Sequence, residues 1–234
     1  MLYPLKFNPL FEERIWGGDQ LRRKMDKKLP EGKLIGESWE LSGMPGSESV
    51  VAEGPWAGST LSELIGHFGA ELLGKANYAR FGQEFPLLVK FIDAREDLSI
   101  QVHPDDELAR KRHGKSGKCE MWYVLEAEPG ASLLTGFSRP IAPAEYERRV
   151  ADNTLTDVLN RQAIASGDVF YLPAGRVHSI GKGSFIVEIQ QSSDITYRIY
   201  DFDRRDAAGN SRELHTELAR EAIDFESSEN SRIT

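Results

Sequence analysis

The chain has 234 residues, a formal net charge of −8 and a single cysteine, Cys119. This length suffices for one substantial hydrophobic core, or for a core with a smaller attached unit. Acidic residues are spread along the chain without a basic stripe, so we predict no nucleic-acid partner. One cysteine cannot form an internal disulfide, and no segment resembles a secretion signal or a membrane span. We therefore predict a soluble cytoplasmic protein without a membrane partner.

The first hundred residues contain short strand patterns that are interrupted by Gly and Pro. The clearest of them cover residues 2–7, 37–41 and 49–52. A helical pattern follows at 59–68, where Ser and Thr precede a Glu and apolar residues recur at helical spacing. We predict that this helix belongs to an insertion over about residues 54–80.

Strand patterns dominate the later chain and predict a sheet-rich core over about residues 85–205. A second helical insertion, at 140–162, interrupts this core. One more helical pattern covers 212–223, and the polar stretch 226–232 is predicted to be disordered. We expect a single domain over residues 1–234. The predicted core strands are 86–93, 99–102, 121–125, 132–136, 167–172 and 184–190.

An amide and an imidazole lie two residues apart in one of these strand patterns. Alternate residues of a strand share a face, so Gln101 and His103 point the same way when their β-branched neighbours face the core. His178 follows a strand and a Pro-Ala-Gly turn, and Glu120 begins an apolar run. Two imidazoles, a carboxylate and an amide suit a borderline divalent cation, and the nitrogen donors favour zinc.

Each of these residues also has an ordinary explanation, since a lone histidine is more often a hydrogen-bonded polar residue than a ligand. Cys119 neighbours Glu120, but its side chain would point to the opposite face of an extended segment, so we predict no ligand role. The acidic residues 105–107 precede a helical pattern and are predicted to cap it. The histidines predicted to lie at the surface are His67, His113 and His215.

Many short strands separated by turn residues predict a mainly β fold, a closed barrel or two packed sheets that can hold a ligand in its mouth. A cupin jelly-roll barrel with helical insertions fits this description. The spacing Gly167-x5-Pro173-x-Gly175-x2-His178 matches the second cupin motif. Further motifs are Arg-Ile-Trp-Gly-Gly from Arg14, Ser-Ile-Gln-Val-His-Pro-Asp-Asp from Ser99, Gly-Lys-Cys-Glu-Met-Trp-Tyr-Val-Leu from Gly117 and Gln-Gln-Ser-Ser-Asp-Ile-Thr-Tyr-Arg from Gln190.

With these motifs the chain resembles the type I mannose-6-phosphate isomerases, in their short bacterial form, over nearly its whole length. The resemblance implies one zinc ion per chain, held by Gln101, His103, Glu120 and His178. It implies catalytic roles for Arg198, Lys118 and Asp194. It implies substrate-binding roles for Ser99, Arg204 and Trp16.

The chain departs from the family pattern at two positions. Arg204 stands where larger relatives have a lysine, and Gly117 stands where some bacterial relatives have a histidine. Relatives also continue past residues 212–223 into a further β unit, and we expect that this chain lacks it. Both a natural short form and a truncated product fit that expectation.

The resemblance implies the zinc-dependent interconversion of mannose 6-phosphate and fructose 6-phosphate through a cis-enediol. Zinc would polarise the sugar oxygens, while Lys118, Asp194 or a zinc-bound water would transfer the proton. Arg198 would contact an enediolate or phosphate oxygen, unless it forms a structural ion pair with Asp194 or Asp201.

Two alternatives to the isomerase remain open at this stage. One is a non-catalytic metal cupin that binds a sugar phosphate as a sensor or regulatory partner. The other is a metal cupin of another chemistry, such as an oxygenase, which would commonly use more histidines than this chain offers. The isomerase and both alternatives imply a small-molecule partner. The sequence does not indicate the oligomeric state.

Overall fold

Two antiparallel sheets that face each other form the framework of the protein, and a computed structural model describes residues 2–205, 208–226 and 231–233. The strands are β1 (Phe7–Asn8), β2 (Leu10–Gly18), β3 (Ile35–Met44), β4 (Ser47–Glu48), β5 (Val50–Val51), β6 (Leu87–Ala94), β7 (Ile100–Val102), β8 (Glu120–Ala127), β9 (Ser132–Phe137), β10 (Leu159–Ala163), β11 (Val169–Leu172), β12 (His178–Ile180), β13 (Ser184–Gln191), β14 (Tyr197–Tyr200) and β15 (Arg232–Ile233). The helices are α1 (Gln20–Met25), α2 (Leu61–Phe68), α3 (Ala70–Leu73), α4 (Lys75–Phe81), α5 (Asp106–His113), α6 (Pro143–Ala151) and α7 (Thr216–Ala222), with a 3-10 turn at Leu155–Val158.

The larger sheet has eight strands in the order β15-β11-β8-β13-β6-β2-β3-β4, and β6 also pairs directly with β3. The smaller sheet has five strands in the order β10-β9-β12-β7-β14, and β1 pairs with β5 apart from both. This two-sheet arrangement confirms the predicted mainly β, jelly-roll architecture. In the part of the chain that the structure describes, no helix is long and apolar enough to cross a membrane.

The space between the sheets is apolar at one end and polar at the other. Alternate residues of β13 face the smaller sheet, and along the strand these change from Ile186 to Glu188 and Gln190, all of them buried. The apolar end packs Trp122 and Phe170 of the larger sheet against side chains of the smaller one. The polar end is therefore built into the fold by the sequence of the strands themselves.

Three of the sequence predictions that differ from the observed elements concern strands or the chain end. Residues 2–7 contain a strand only from Phe7, because Pro4 has no N–H to donate to a ladder. The insertion at 140–162 contains helix α6, but it ends in strand β10, which pairs with β9. Within the predicted disordered stretch, Arg232 pairs with Phe170 at the edge of the larger sheet, where backbone hydrogen bonds hold a polar segment. Residues 227–230 lie outside the described residues.

The predicted caps of α2 and α5 are confirmed, whereas the helix predicted over 212–223 begins only at Thr216. Thr60 and Glu63 form a capping box at the start of α2, in which each side chain accepts the other residue's backbone N–H. The Asp105 side chain accepts the Leu108 N–H at 2.8 Å and so caps α5.

Gly117 allows the segment before β8 to lie directly against the start of α5. A Cβ at this position would lie 2.4 Å from the Asp105 carbonyl carbon and 2.5 Å from the Asp106 nitrogen. The Gly117 N–H donates to Asp106 Oδ1 at 2.8 Å, and the Lys118 N–H donates to the Pro104 carbonyl at 3.1 Å. The close approach thus fixes where Lys118 enters the space between the sheets.

We predict that Gly117→Ala lowers the free energy of unfolding by about 1–3 kcal/mol, because the added methyl group meets backbone atoms that cannot rotate away. Urea unfolding followed by circular dichroism measures this difference. Gly66→Ala is the matched control, since a Cβ at Gly66 in α2 meets nothing within 4 Å and favours the helix. Equal stability of the two variants would contradict the role given to Gly117.

Candidate active site and metal centre

Three buried donor groups converge at the polar end of the space between the sheets. His103 directly follows β7, Glu120 begins β8 and His178 begins β12. His178 Nε2 lies 3.1 Å from Glu120 Oε1, and His103 Nε2 lies 3.4 Å from Glu120 Oε2. The sequence separates these residues widely, and the pairing of the strands brings them together.

The hydrogen bonds of the two imidazoles determine which ring nitrogen carries the proton. His103 Nδ1 lies 2.8 Å from the Ile195 carbonyl, and His178 Nδ1 lies 2.8 Å from the Arg176 carbonyl. A carbonyl oxygen can only accept, so each Nδ1 carries a hydrogen, and in the neutral ring Nε2 presents a lone pair. His103 Nε2 has no hydrogen-bond partner within the described residues, although it is buried. Lone pairs therefore face carboxylate oxygens, and a cation is needed between them.

The dimensions of this cluster fit a small tetrahedral ion. Donor atoms at zinc bond lengths are about 3.3 Å apart in a tetrahedral shell, close to the separations from Glu120. Gln101 Nε2 lies 3.4 Å from His178 Nε2, and rotation of the amide by half a turn presents its oxygen instead. His103, Glu120 and His178 form a potential metal site, and Gln101 lies beside it. Backbone carbonyls on the outer ring nitrogens orient such ligands.

Electrostatics keep these groups in the protonation states that a metal ion requires. Burial, and then the positive charge of Lys118, lower the pKa of His103 to about 3, so this imidazole is neutral near pH 7. Burial alone would raise the pKa of Glu120, but the Lys118 ammonium and the two imidazoles hold it well below its usual value. His103 therefore offers a neutral nitrogen, and Glu120 offers a carboxylate.

A row of charges of alternating sign, buried except at the half-buried Arg14, crosses the larger sheet and ends at Glu120. Lys118 Nζ lies 3.0 Å from Glu120 Oε2 and 3.9 Å from Glu188 Oε1. Lys90 Nζ lies 2.9 Å from Glu188 Oε1, because the two residues are paired directly across β6 and β13. We call this set the charge row; its members are Arg14, Glu37, Lys90, Glu188, Lys118 and Glu120.

The far end of the charge row is held by Glu37. Its carboxylate accepts hydrogen bonds from Arg14 Nε at 3.1 Å and from Trp39 Nε1 at 2.8 Å, and it lies 3.6 Å from Lys90 Nζ. Burial would raise the pKa of Glu37, but the charges of Lys90 and Arg14 lower it to about 2. The pKa of Lys90 is raised by Glu188 and Glu37 despite its burial. Both groups are therefore charged at neutral pH.

A cavity of about 540 Å³ opens above the metal donors. The larger sheet contributes charged and aromatic side chains to its wall, and the smaller sheet contributes Gln101 and Arg198, which face each other across β7 and β14. Among the described residues that line it are Trp16, Trp39, Lys90, Ser99, Gln101, Lys118, Glu188, Asp194, Arg198 and Arg212.

Most of the residues predicted as site residues lie on this wall, and the metal donors lie beneath it. Asp194 is at the rim, where its carboxylate pairs with Lys115 Nζ at 2.9 Å, and its side chain is 52% exposed. Arg204 is not among the described lining residues; its guanidinium donates to the Asp97 carbonyl at 2.5 Å. Arg198 pairs with neither predicted partner, because its Nη1 donates to the Glu213 carbonyl at 3.0 Å.

The charged wall residues that were not predicted from the sequence include Glu37, Lys90, Glu188 and Arg212. The sequence does contain a pattern that could have identified Lys90 and Glu188. Each is a charged residue within an otherwise apolar strand segment. Such residues are rarely buried without a partner. Their pairing depends on the order of strands in the sheet, which the sequence pattern does not reveal.

We predict that the purified protein binds a divalent metal ion and that His178→Ala and Glu120→Gln each lose it. The first substitution removes a nitrogen donor, and the second removes the negative charge that offsets the charge of the ion. Elemental analysis of the dialysed variants measures occupancy. His67→Ala is the control, since His67 is exposed on α2; loss of metal there, or retention in both site variants, would contradict the assignment.

We predict a specific pH dependence for Glu37→Gln. A carboxylate with a folded pKa of about 2 and an ordinary value of 4.5 stabilises the fold fully above pH 4.5, and this contribution disappears as pH falls towards 2. The difference in unfolding free energy between wild type and variant is expected to reach about 3 kcal/mol at neutral pH and to shrink below pH 4.5. Urea unfolding from pH 3 to 7 measures it.

The exposed Glu13, which pairs with Lys33, provides the comparison for this experiment. Glu13→Gln should change stability by less than about 1 kcal/mol at every pH. A Glu37→Gln difference that stays constant from pH 3 to 7 would show that Glu37 does not act through its charge.

Comparison with known proteins identifies relatives over almost the whole chain. The sequence model of the phosphomannose isomerase type I catalytic domain matches residues 4–137. Mannose-6-phosphate isomerase ManA of Bacillus subtilis is 41% identical over 96% of this chain and 69% of its own length. The Streptococcus mutans mannose-6-phosphate isomerase is 40% identical over 93% of this chain and 66% of its own.

A crystal structure of the mannose 6-phosphate isomerase from Bacillus subtilis has the same fold. It superimposes with a TM-score of 0.88 at 37% identity, and the match covers 97% of this chain and 70% of that one. The chain therefore belongs to the type I phosphomannose isomerase family, as its motifs predict.

Proposed function

We propose that the chain interconverts mannose 6-phosphate and fructose 6-phosphate with the help of one zinc ion. The observation that carries this proposal is the cavity of about 540 Å³ that joins buried metal donors, an ammonium–carboxylate pair and arginines. Aldose–ketose isomerisation needs an electrophile at the carbonyl oxygen, groups that move a proton between C1 and C2, and a cationic anchor for phosphate. The cavity wall supplies candidates for each.

His103, Glu120, His178 and Gln101 would hold the ion. Bound there, zinc would act as a Lewis acid that polarises the sugar oxygens. The choice of zinc rests on the two imidazole nitrogens together with one carboxylate, a donor set that this ion prefers.

Glu188 and Lys118 are the groups best placed to move the proton. Glu188 is held by Lys90 at 2.9 Å and by Trp122 Nε1 at 2.8 Å, so its carboxylate has a fixed position on the cavity wall. Lys118 is 6% exposed and lies between the carboxylates of Glu120 and Glu188. A carboxylate can take the proton from carbon while the ammonium hydrogen-bonds the neighbouring oxygen. Asp194, at the rim, is less enclosed.

Arg198 would stabilise the negative charge that develops during this transfer. Its backbone pairs with Gln101 directly across β7 and β14, and its side chain lines the same cavity. Its fixed fork suits a pair of oxygens on an enediolate. We also propose that residues 1–234 work as a single cupin-type isomerase domain, with the metal-binding core at about 85–205.

We predict that the metal-replete protein converts mannose 6-phosphate to fructose 6-phosphate and that Arg198→Ala lowers kcat by two to three orders of magnitude, as expected when a charged group is removed from the transition state. A coupled assay measures the rate, and elemental analysis confirms that the variant keeps its metal. Near-normal kcat in the variant would rule out this role for Arg198.

Turnover in heavy water tests the route of the proton. A side-chain base can exchange the proton with solvent before returning it, so deuterium should enter at C1 or C2. A hydride shift would carry the original hydrogen across unchanged, which would exclude the cis-enediol route. Absence of turnover by the metal-replete protein would favour the sugar-phosphate sensor.

A further inference from the structure

Three arginines surround one buried carboxylate on the β14 side of the cavity. Arg212 donates from Nε and Nη2 to the two oxygens of Asp201, at 2.7 and 2.5 Å. Arg204 Nη2 lies 3.4 Å from the same carboxylate. Arg198 lies in β14, three residues before Asp201 in the chain. We call Arg198, Arg204 and Arg212 the arginine cluster. Three guanidiniums and one carboxylate leave two positive charges uncompensated within this group.

The arginine cluster contains donors that the protein leaves unused. Arg198 Nε and Arg204 Nη1 are buried and have no hydrogen-bond partner within the described residues. Burial, and next the charge of Arg212, lower the pKa of Arg198, so the three guanidiniums oppose one another. A guanidinium cannot relieve this by losing its proton near neutral pH. An anion in the cavity would supply negative charge to the arginine cluster and a hydrogen-bond acceptor to Arg198, which lines the cavity.

Arg212 is the member of the cluster that combines a fixed orientation with access to the cavity. Asp201 occupies one edge of its planar guanidinium, which leaves Nη1 on the other edge, and Arg212 lines the cavity wall. The His215 N–H donates to the Arg198 carbonyl at 2.6 Å, so the segment that carries Arg212 runs beside β14, away from β7. Arg212 is therefore farther from the metal donors than Arg198.

This arrangement separates two tasks along the cavity. The Arg198 backbone pairs with Gln101, whereas the segment that carries Arg212 lies on the other side of β14, so a sugar whose reacting carbons bind at the metal donors would have its distal end towards Arg212. Resting on the function proposed above, we propose that Arg212 binds the phosphate of the substrate and determines the preference for phosphorylated over free sugar. Asp201 is its positioning residue.

The test compares Arg212→Gln with wild type in turnover and in inhibition by inorganic phosphate. Loss of one charge-assisted contact to phosphate should raise KM for mannose 6-phosphate about 10- to 100-fold while kcat changes by less than about threefold. The inhibition constant of inorganic phosphate should rise by a similar factor. Arg212→Lys, which keeps the charge but loses the fork, should fall between the two.

Two further variants separate binding from support of the fold. Asp201→Asn should also raise KM, because Arg212 loses the carboxylate that orients it. Arg220→Gln removes an exposed arginine that pairs with Glu147 on the surface, and it should leave KM and phosphate inhibition unchanged. Unchanged KM and unchanged phosphate inhibition in Arg212→Gln, with only a lower melting temperature, would overturn the proposal.

A binding measurement keeps this test independent of the isomerase activity. Inorganic phosphate should raise the melting temperature of the wild-type protein, and Arg212→Gln should lose this shift even if mannose 6-phosphate is not turned over. Failure of turnover with retained phosphate protection would refute the isomerase and uphold the anion site. A phosphate shift of equal size in wild type, Arg212→Gln and Arg212→Lys would refute the site itself.

Discussion

The close approach of two histidine nitrogens to the Glu120 carboxylate is the constraint on which the rest of the site depends. Two imidazole nitrogens and two carboxylate oxygens point at one another without a proton between them. In a buried place this repulsion persists unless a cation lies among the donors. The positive charge of Lys118 offsets part of this repulsion, because its ammonium group lies beside the Glu120 carboxylate. The metal ion would complete the compensation that Lys118 begins.

The charge row extends the same compensation across the larger sheet. Removal of one member of a buried ion pair is costly because its partner stays charged without water. Glu188, for example, touches Lys90 and lies within 3.9 Å of Lys118, so each ammonium is shared between two carboxylates. The row thereby couples the position of Lys118 to groups several strands away. A substitution at Glu37 would therefore change the electrostatic environment of the metal donors through a chain of ionic contacts.

Local patterns were sufficient to predict much of the fold and to identify the residues that converge at the potential metal site. Gln101 and His103 share a strand face, and His178 follows a turn whose Pro and Gly are recognisable without a structure. Lys90 and Glu188 were missed because they meet only when β6 and β13 are neighbours. Arg212 was missed because the predicted helix at 212–223 begins only at Thr216, which leaves Arg212 in an extended segment beside β14. Strand order and the path of long connections are set by tertiary packing.

The carbonyl groups that hold the two histidines have a consequence for how the metal ion is exchanged. Ile195 and Arg176 lie in the loops that lead into β14 and β12, and their carbonyls orient both rings through hydrogen bonds that involve no ion. The two histidine side chains therefore lose their conformational entropy when the chain folds, and not when an ion binds. A metal ion bound there would leave and return without refolding of the chain.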